Sequence, residues 1–135
     1  MINLIEQLIK IYLNEEWWHT KRLTLQEAWE YFRVLLIKNN LLVKIENDEI
    51  IAYVEYWLIN DEQFKRVSSG EHFDISKENI CDGNICYVHT LWIKDSYRGN
   101  GVLREFKKSV ENKPFEYYGG IEQKYNKRLR LKARS

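Results

Sequence analysis

The segment "YRGNGVLREF", Tyr97 to Phe106, sets two glycines two residues apart between an arginine and a run with helical apolar spacing. Glycine accepts backbone conformations closed to other residues and leaves neighbouring N–H groups uncovered. A helix that starts directly behind it adds the unpaired N–H groups of its first turn and the positive end of its dipole. Such a turn is a nest for an anion. A phosphate or pyrophosphate is its natural occupant, with Arg98 and Arg104 as supporting cations. The plain alternative is a glycine turn that only joins a strand to a helix. Two nucleotide sites are excluded. The mononucleotide loop needs a Lys-Ser/Thr pair after its last glycine, where Val102-Leu103 stand here. The dinucleotide fingerprint needs three glycines early in a parallel βαβ unit.

The elements around the turn follow from periodicity. Ile2, Ile5, Leu8, Ile9 and Tyr12 recur at helical spacing and predict a helix over about 2–15. Thr24 and Glu27 stand in capping-box spacing ahead of Ala28, Phe32, Leu35 and Leu36, which predicts a second helix ending at Asn39-Asn40. The pattern then changes to β-branched and aromatic residues on both sides of Asn47-Asp48, which predicts an antiparallel hairpin with strands at about 41–46 and 49–59. Residues 60–84 are polar and read as a long loop with at most a short turn of helix. Ile85 to Ile93 is apolar on both faces, as in a central strand. A helix over about 101–111, stopped by Pro114, and a strand in "PFEYYGGIEQ" with a glycine bulge or close approach complete the order. In the tail, "KYNKRLRLKARS" carries six basic and no acidic residues and reads as a solvated helix face.

Around the glycine turn, "LWIKDSYRGNGVLREF" resembles the central motif of the GNAT superfamily of N-acetyltransferases, in which a strand ends in a hydrophobic-x-x-x-x-Arg-x-x-Gly-x-Gly/Ala turn. Ile93, Arg98 and Gly101 match in spacing, whereas Leu103 departs from the family's small residue. The order of elements is also similar over roughly residues 1–125. The resemblance implies an α+β fold: a mixed, mostly antiparallel sheet flanked by helices, with a splayed central strand pair, as one domain over 1–135. It implies acetyl-CoA as the donor. Pantetheine would lie along the backbone edge of Leu91, Trp92 and Ile93, and the pyrophosphate would meet the turn at Arg98, Gly99, Asn100, Gly101, Val102, Leu103 and Arg104. Pantetheine carries two amides that can imitate a neighbouring strand. The implied reaction acetylates a primary amine of a small molecule, a protein lysine or a protein N-terminus. Short phage and prophage members belong to the same superfamily, and the Lys, Asn and Ile richness accords with such an AT-rich source.

Direct attack by an amine requires a base, and the departing thiolate benefits from an acid. His89 lies on the strand before the turn, at a point where some family members place a histidine. By strict alternation it shares a face with Tyr87, Leu91 and Ile93. It reads either as the base or as a hydrogen-bonded core histidine. Glu55 interrupts the aromatic run "YVEYW" and reads either as a base with its pKa raised by burial or as an edge residue facing water. Tyr117 and Tyr118 offer a phenol near the leaving thiol, with Tyr118 the chosen candidate. The family's usual tyrosine lies on a later helix, and Ala133 stands at the position reached by counting from Asn126.

Composition bounds the remaining classes. The chain has 135 residues, 44% hydrophobic and 14% aromatic, which is ample for a packed core. Net charge is +1, with the basic excess in the second half. That near-neutral total opposes a nucleic-acid reading of the basic tail, and a GNAT-like domain kept only as a binding module is the other rival. The N-terminal run contains Glu6 and lacks a cationic region with a small-residue cleavage site, so no signal peptide is expected. No segment approaches the roughly 18 apolar residues of a membrane span. Two cysteines fit a reducing cytoplasm and free thiols. His72, Cys81, Cys86 and His89 are irregularly spaced, and Cys86 and His89 point to opposite strand faces, so no metal is expected. The sequence ends with "NKRLRLKARS", where many GNAT relatives continue through a further strand pair, so the expectation is an acceptor side either incomplete or completed by a second subunit, as in a homodimer.

Overall fold

Thr24 opens a helix by accepting from the Glu27 amide at 3.1 Å while the Glu27 carboxylate accepts from the Thr24 amide at 2.9 Å. This reciprocal cap, worth about 1 kcal/mol, fixes the start of α2 at Leu25–Ile37. It appears in a computed structural model that describes residues 3–14, 23–111, 113, 115–122 and 128–133, with the backbone alone for 118, 120–122 and 128–133. Trp17, Trp18, Pro114 and Asn126 lie outside the described residues. Asn39, at φ 58°, ends α2 in the left-handed conformation that asparagine tolerates. Helix α1, Leu4–Asn14, precedes it and is pinned to the sheet by Gln7, whose amide donates to the Asp48 carbonyl and accepts from the Ile50 amide.

Strands β1, Leu41–Glu46, and β2, Glu49–Ile59, form the predicted hairpin, and Asn47 and Asp48 both carry positive φ, as a two-residue turn of this twist requires. The polar stretch after β2 holds more order than its composition predicts. Asn60 and Gln63 form a second reciprocal cap, and α3 runs over Asp61–Ser68 with Phe64 and Val67 against the core. The cap pair was a visible signal; its short apolar stripe was not. Strand β3, Ile85–Ile93, then α4, Val102–Ser109, and β4, Tyr117–Glu122, follow as predicted in kind. The basic tail is not a helix: β5, Arg128–Ala133, pairs antiparallel with β4. Its Arg-Leu-Arg-Leu alternation has the period of a strand, and that period outranks the charge run.

The five strands lie in chain order, and all neighbours are antiparallel except the central pair β3 and β4. Helices α1 and α2 cover one face, with Leu8, Phe32 and Leu35 on Tyr53, Trp57 and Tyr87. Helix α4 covers the other, setting Val102 and Phe106 on Ala52 and Val54. Each fully buried aliphatic side chain contributes roughly 2 kcal/mol of transfer free energy. Gly119 on β4 allows a close approach, since a Cβ there would meet the Phe64 ring at 2.6 Å. Gly83 is tighter still, because its Cβ would meet the Ile59 backbone carbon at 2.1 Å and its N–H bonds the Leu58 carbonyl at 2.9 Å. Backbone against backbone has no flexible end to move. Gly83→Ala is therefore expected to cost about 3 kcal/mol or more, read as a lowered urea midpoint. No helix among the described residues is long and apolar enough to cross a membrane.

Candidate functional site

Pairing between β2 and β3 slips at one point. Glu55 lies opposite Thr90 and Tyr56 opposite Val88, so His89 is the extra residue of a β-bulge. The slip changes the faces of everything beyond it. His89 and Thr90 both reach Glu55, while Trp92 turns to the α2 face and stacks on Tyr53, and Ile93 joins the α4 face with Ala52 and Val102. Strict alternation places Leu91 and Ile93 beside His89; the bulge removes both, since Leu91 pairs with Val54 and Ile93 with Ala52, the β2 residues of the α4 face. It keeps Cys86 opposite, in the cluster with Tyr56 and Phe115, and no metal-binding cluster occurs among the described residues.

Glu55 does not face water. It is 2% exposed on β2, and its carboxylate collects four donors. Oε1 lies 3.2 Å from His89 Nδ1 and 3.3 Å from the Thr90 hydroxyl; Oε2 accepts from Trp57 Nε1 at 2.9 Å and from the Tyr31 hydroxyl. Two oxygens offer about four lone-pair directions, so this carboxylate is saturated as an acceptor. Burial alone would raise its pKa, but the adjacent imidazole and the hydrogen bonds from His89, Tyr31 and Trp57 hold it below the ordinary 4.5. The expectation of a raised carboxylate pKa is thus reversed, because the apolar run also brought donors. Glu55 is a fixed anion.

Its partner shifts the other way. Burial would lower the His89 pKa, yet the Glu55 charge and hydrogen bond raise it above 6.5. Trp57 stacks on the imidazole at 4.6 Å and 11°, and the His89 side chain keeps 21% of its surface exposed. Nδ1 lies 3.1 Å from the Thr90 hydroxyl and 3.2 Å from Glu55 Oε1; because that hydroxyl donates its own hydrogen to Oε1, both oxygens are best met by Nδ1–H, which leaves the neutral ring's lone pair on Nε2. That arrangement accepts a proton at one nitrogen and stabilises the resulting imidazolium through the other. A group with a raised folded pKa contributes stability that is complete below its unfolded value and is lost as pH rises through the folded one. Glu55, lowered, contributes fully above about 4.5 and loses that contribution as pH falls through its folded value. The pair therefore stabilises most between about pH 4.5 and 6.5. The melting temperature is expected to decline as pH rises beyond that window, and less steeply in His89→Gln, as thermal melts across pH will read.

Beyond the bulge the sheet opens. Strand β3 pairs with β4 only from Ile85↔Tyr117 to Val88↔Gly120, and from His89 to Ile93 no described residue pairs with that edge. The backbone of Leu91, Trp92 and Ile93 thus lies beyond the stretch that pairs with β4. The chain then turns through a short 3-10 helix, Asp95–Tyr97, into the glycine turn. Gly99 and Gly101 both have φ 83°, and a Cβ at either would meet nothing within 4 Å among the described residues. Gly101 caps α4, whose first internal bond runs from the Glu105 amide to the Gly101 carbonyl, so the amides of Val102, Leu103 and Arg104 precede it. Arg98 braces the turn: its Nε lies 3.4 Å from the Ile93 carbonyl and 3.3 Å from the Asp95 carboxylate. Tyr118 lies on β4 opposite Cys86, and its side chain is outside the described residues. The sequence marks Trp57, with Tyr53 and Tyr56, as core or pocket wall, and it gives no sign of Tyr31 or Thr90 as site residues. Helical spacing buried Tyr31, but nothing local names a partner 24 residues away.

The fold agrees with comparisons to known proteins. The family model described as the acetyltransferase (GNAT) family matches residues 4–125. No curated protein matches the chain. Among solved structures, the GphF GNAT-like decarboxylase in complex with isobutyryl-CoA is similar with a TM-score of 0.61 at 13% identity, over 87% of this chain and 60% of that one. The loading GNATL domain of CurA from Lyngbya majuscula gives 0.56 at 14% identity, over 87% and 59%. Arabidopsis thaliana NAA60 in complex with acetyl-CoA gives 0.50 at 20% identity, over 93% and 74%. The chain spans about three fifths of the length of the first two. At these identities the likeness is one of fold. With the family match covering nearly the whole chain and the glycine turn in its place behind a splayed strand, this protein belongs to the GNAT acetyltransferase family.

Proposed function

We propose that the protein, as a single domain, transfers an acetyl group from acetyl-CoA to a primary amine of a small molecule, a protein lysine or a protein N-terminus, with His89 as the base. The observation that carries this reading is the placement of His89 on the bulge, Nδ1 held by buried Glu55, where β3 loses its β4 partner. The residues present fit the donor. Two positive-φ glycines shape the turn, the amides of Gly99 and of residues 101–103 can meet the pyrophosphate while that of Asn100 donates to the Tyr97 carbonyl, Arg98 and Arg104 add charge, and the stretch of Leu91 to Ile93 beyond the β4 pairing can bond the pantetheine amides. That two structural relatives hold acyl-CoA molecules supports the donor class.

In this reading the amine nitrogen attacks the thioester carbonyl, the carbon–sulfur bond breaks, and the amine proton passes to His89 Nε2. Glu55 stabilises the imidazolium and is not itself the base. The proton then returns to the thiolate, directly or through Tyr118. Calorimetry with acetyl-CoA and CoA, paired with thiol detection over a broad amine panel, tests the proposal. Binding of both ligands and amine-dependent thiol release are expected. Absence of heat and of any thermal shift at millimolar ligand would remove the donor site and favour a binding module.

A further inference from the structure

Glu55 reaches His89 with one oxygen while the other is held from outside the sheet. Thr90 and Trp57, which also donate to the carboxylate, belong to β3 and β2 themselves. The Tyr31 hydroxyl comes from α2. Tyr31 reaches Glu55 because it lies on the α2 side that carries Ala28, Phe32 and Leu35, all buried against the sheet. Its ring meets Phe32 edge-on at 6.0 Å, and Phe32 meets Tyr53 edge-on at 6.3 Å, so the phenol is aimed by packing. A glutamate carboxylate turns readily about its last bond. Two donors on Oε2 stop that rotation and leave Oε1 at Nδ1.

We infer that Tyr31 is a positioning residue: by holding the far oxygen of Glu55 from α2, it fixes the Nδ1–H tautomer of His89 and keeps the Nε2 lone pair available. In the other tautomer Nε2 carries a hydrogen and cannot accept a proton. The seating of α2 on the sheet is thereby coupled to the competence of the base. The catalytic consequence rests on the acyl-transfer reading, whereas the tautomer consequence does not. Tyr87 supplies a comparison. Its phenol lies on the same face, with its ring 6.0 Å from the imidazole, and its buried hydroxyl has no hydrogen-bond partner among the described residues.

The test is nitrogen-15 spectroscopy of the full chain labelled at histidine ring nitrogens, with the His89 signals identified by their loss in His89→Gln. The parent is expected to show neutral His89 as the Nδ1–H form. Tyr31→Phe should make the Nε2–H form the larger fraction and lower kcat about tenfold with the KM for acetyl-CoA unchanged, as loss of an outer hydrogen bond does. Tyr87→Phe should leave the tautomer as in the parent. Trp57→Phe removes the other donor to Oε2 and carries the same expectation as Tyr31→Phe, so it decides the matter if Tyr31→Phe does not fold. A folded variant of either kind that keeps the parent tautomer overturns the inference. If the parent neither binds nor turns over acetyl-CoA, the proposed function fails while the spectroscopic result for Tyr31 still stands or falls by itself.

Discussion

Replacing His89 with Gln is expected to lower kcat about a hundredfold or more and to leave acetyl-CoA affinity within about twofold, the range typical for loss of a positioned general base. The separation is spatial. The imidazole sits on the bulge against Glu55, whereas the donor's pyrophosphate would meet backbone amides past Ile93 that His89 does not touch. Glu55→Gln should act differently. Without the anion the cause of the raised His89 pKa is gone and burial alone remains, so that pKa falls. Since the base must be neutral, the acidic limb of the parent's pH–rate profile should lie above 6.5, and in Glu55→Gln it should move to lower pH with a reduced plateau. Steady-state rates with the best amine of the panel, taken across pH, measure both. Variants that keep the parent's rate and limb would place the base elsewhere even if acetyl transfer is real.

Gly101→Val should weaken acetyl-CoA binding about tenfold or more. At φ 83° a β-branched residue is strained, and the amides of the turn would shift to relieve it. The new side chain would meet no described atom within 4 Å of its Cβ, so it would extend into the space that the proposed pyrophosphate site requires. Arg98→Ala should weaken binding only a few fold, and less at high salt, because this exposed guanidinium already spends contacts on Asp95 and the Ile93 carbonyl. Calorimetry at two ionic strengths distinguishes the two causes. Equal and negligible effects would reduce the turn to a connector.

The sequence by itself determined the parts whose signals are local. Asn47-Asp48 between two β-branched runs fixed the hairpin because few other residues accept two successive positive φ values. Thr24 with Glu27 fixed the start of α2, and the spacing from Ile93 through Arg98 to Gly101 located the turn ahead of α4. What only the tertiary structure decided is the relation between strands. The bulge at His89 depends on how β3 pairs with β2, and from that one-residue slip it follows that His89 and Thr90 share a carboxylate with a tyrosine from α2. Alternation along a single strand carries no trace of such a slip, since the extra residue is extra only against a partner 35 positions away. For the same reason the pKa of Glu55 could not be read from its aromatic neighbours: burial raises it, distant donors lower it, and which prevails is settled by contacts that exist only once the chain has folded.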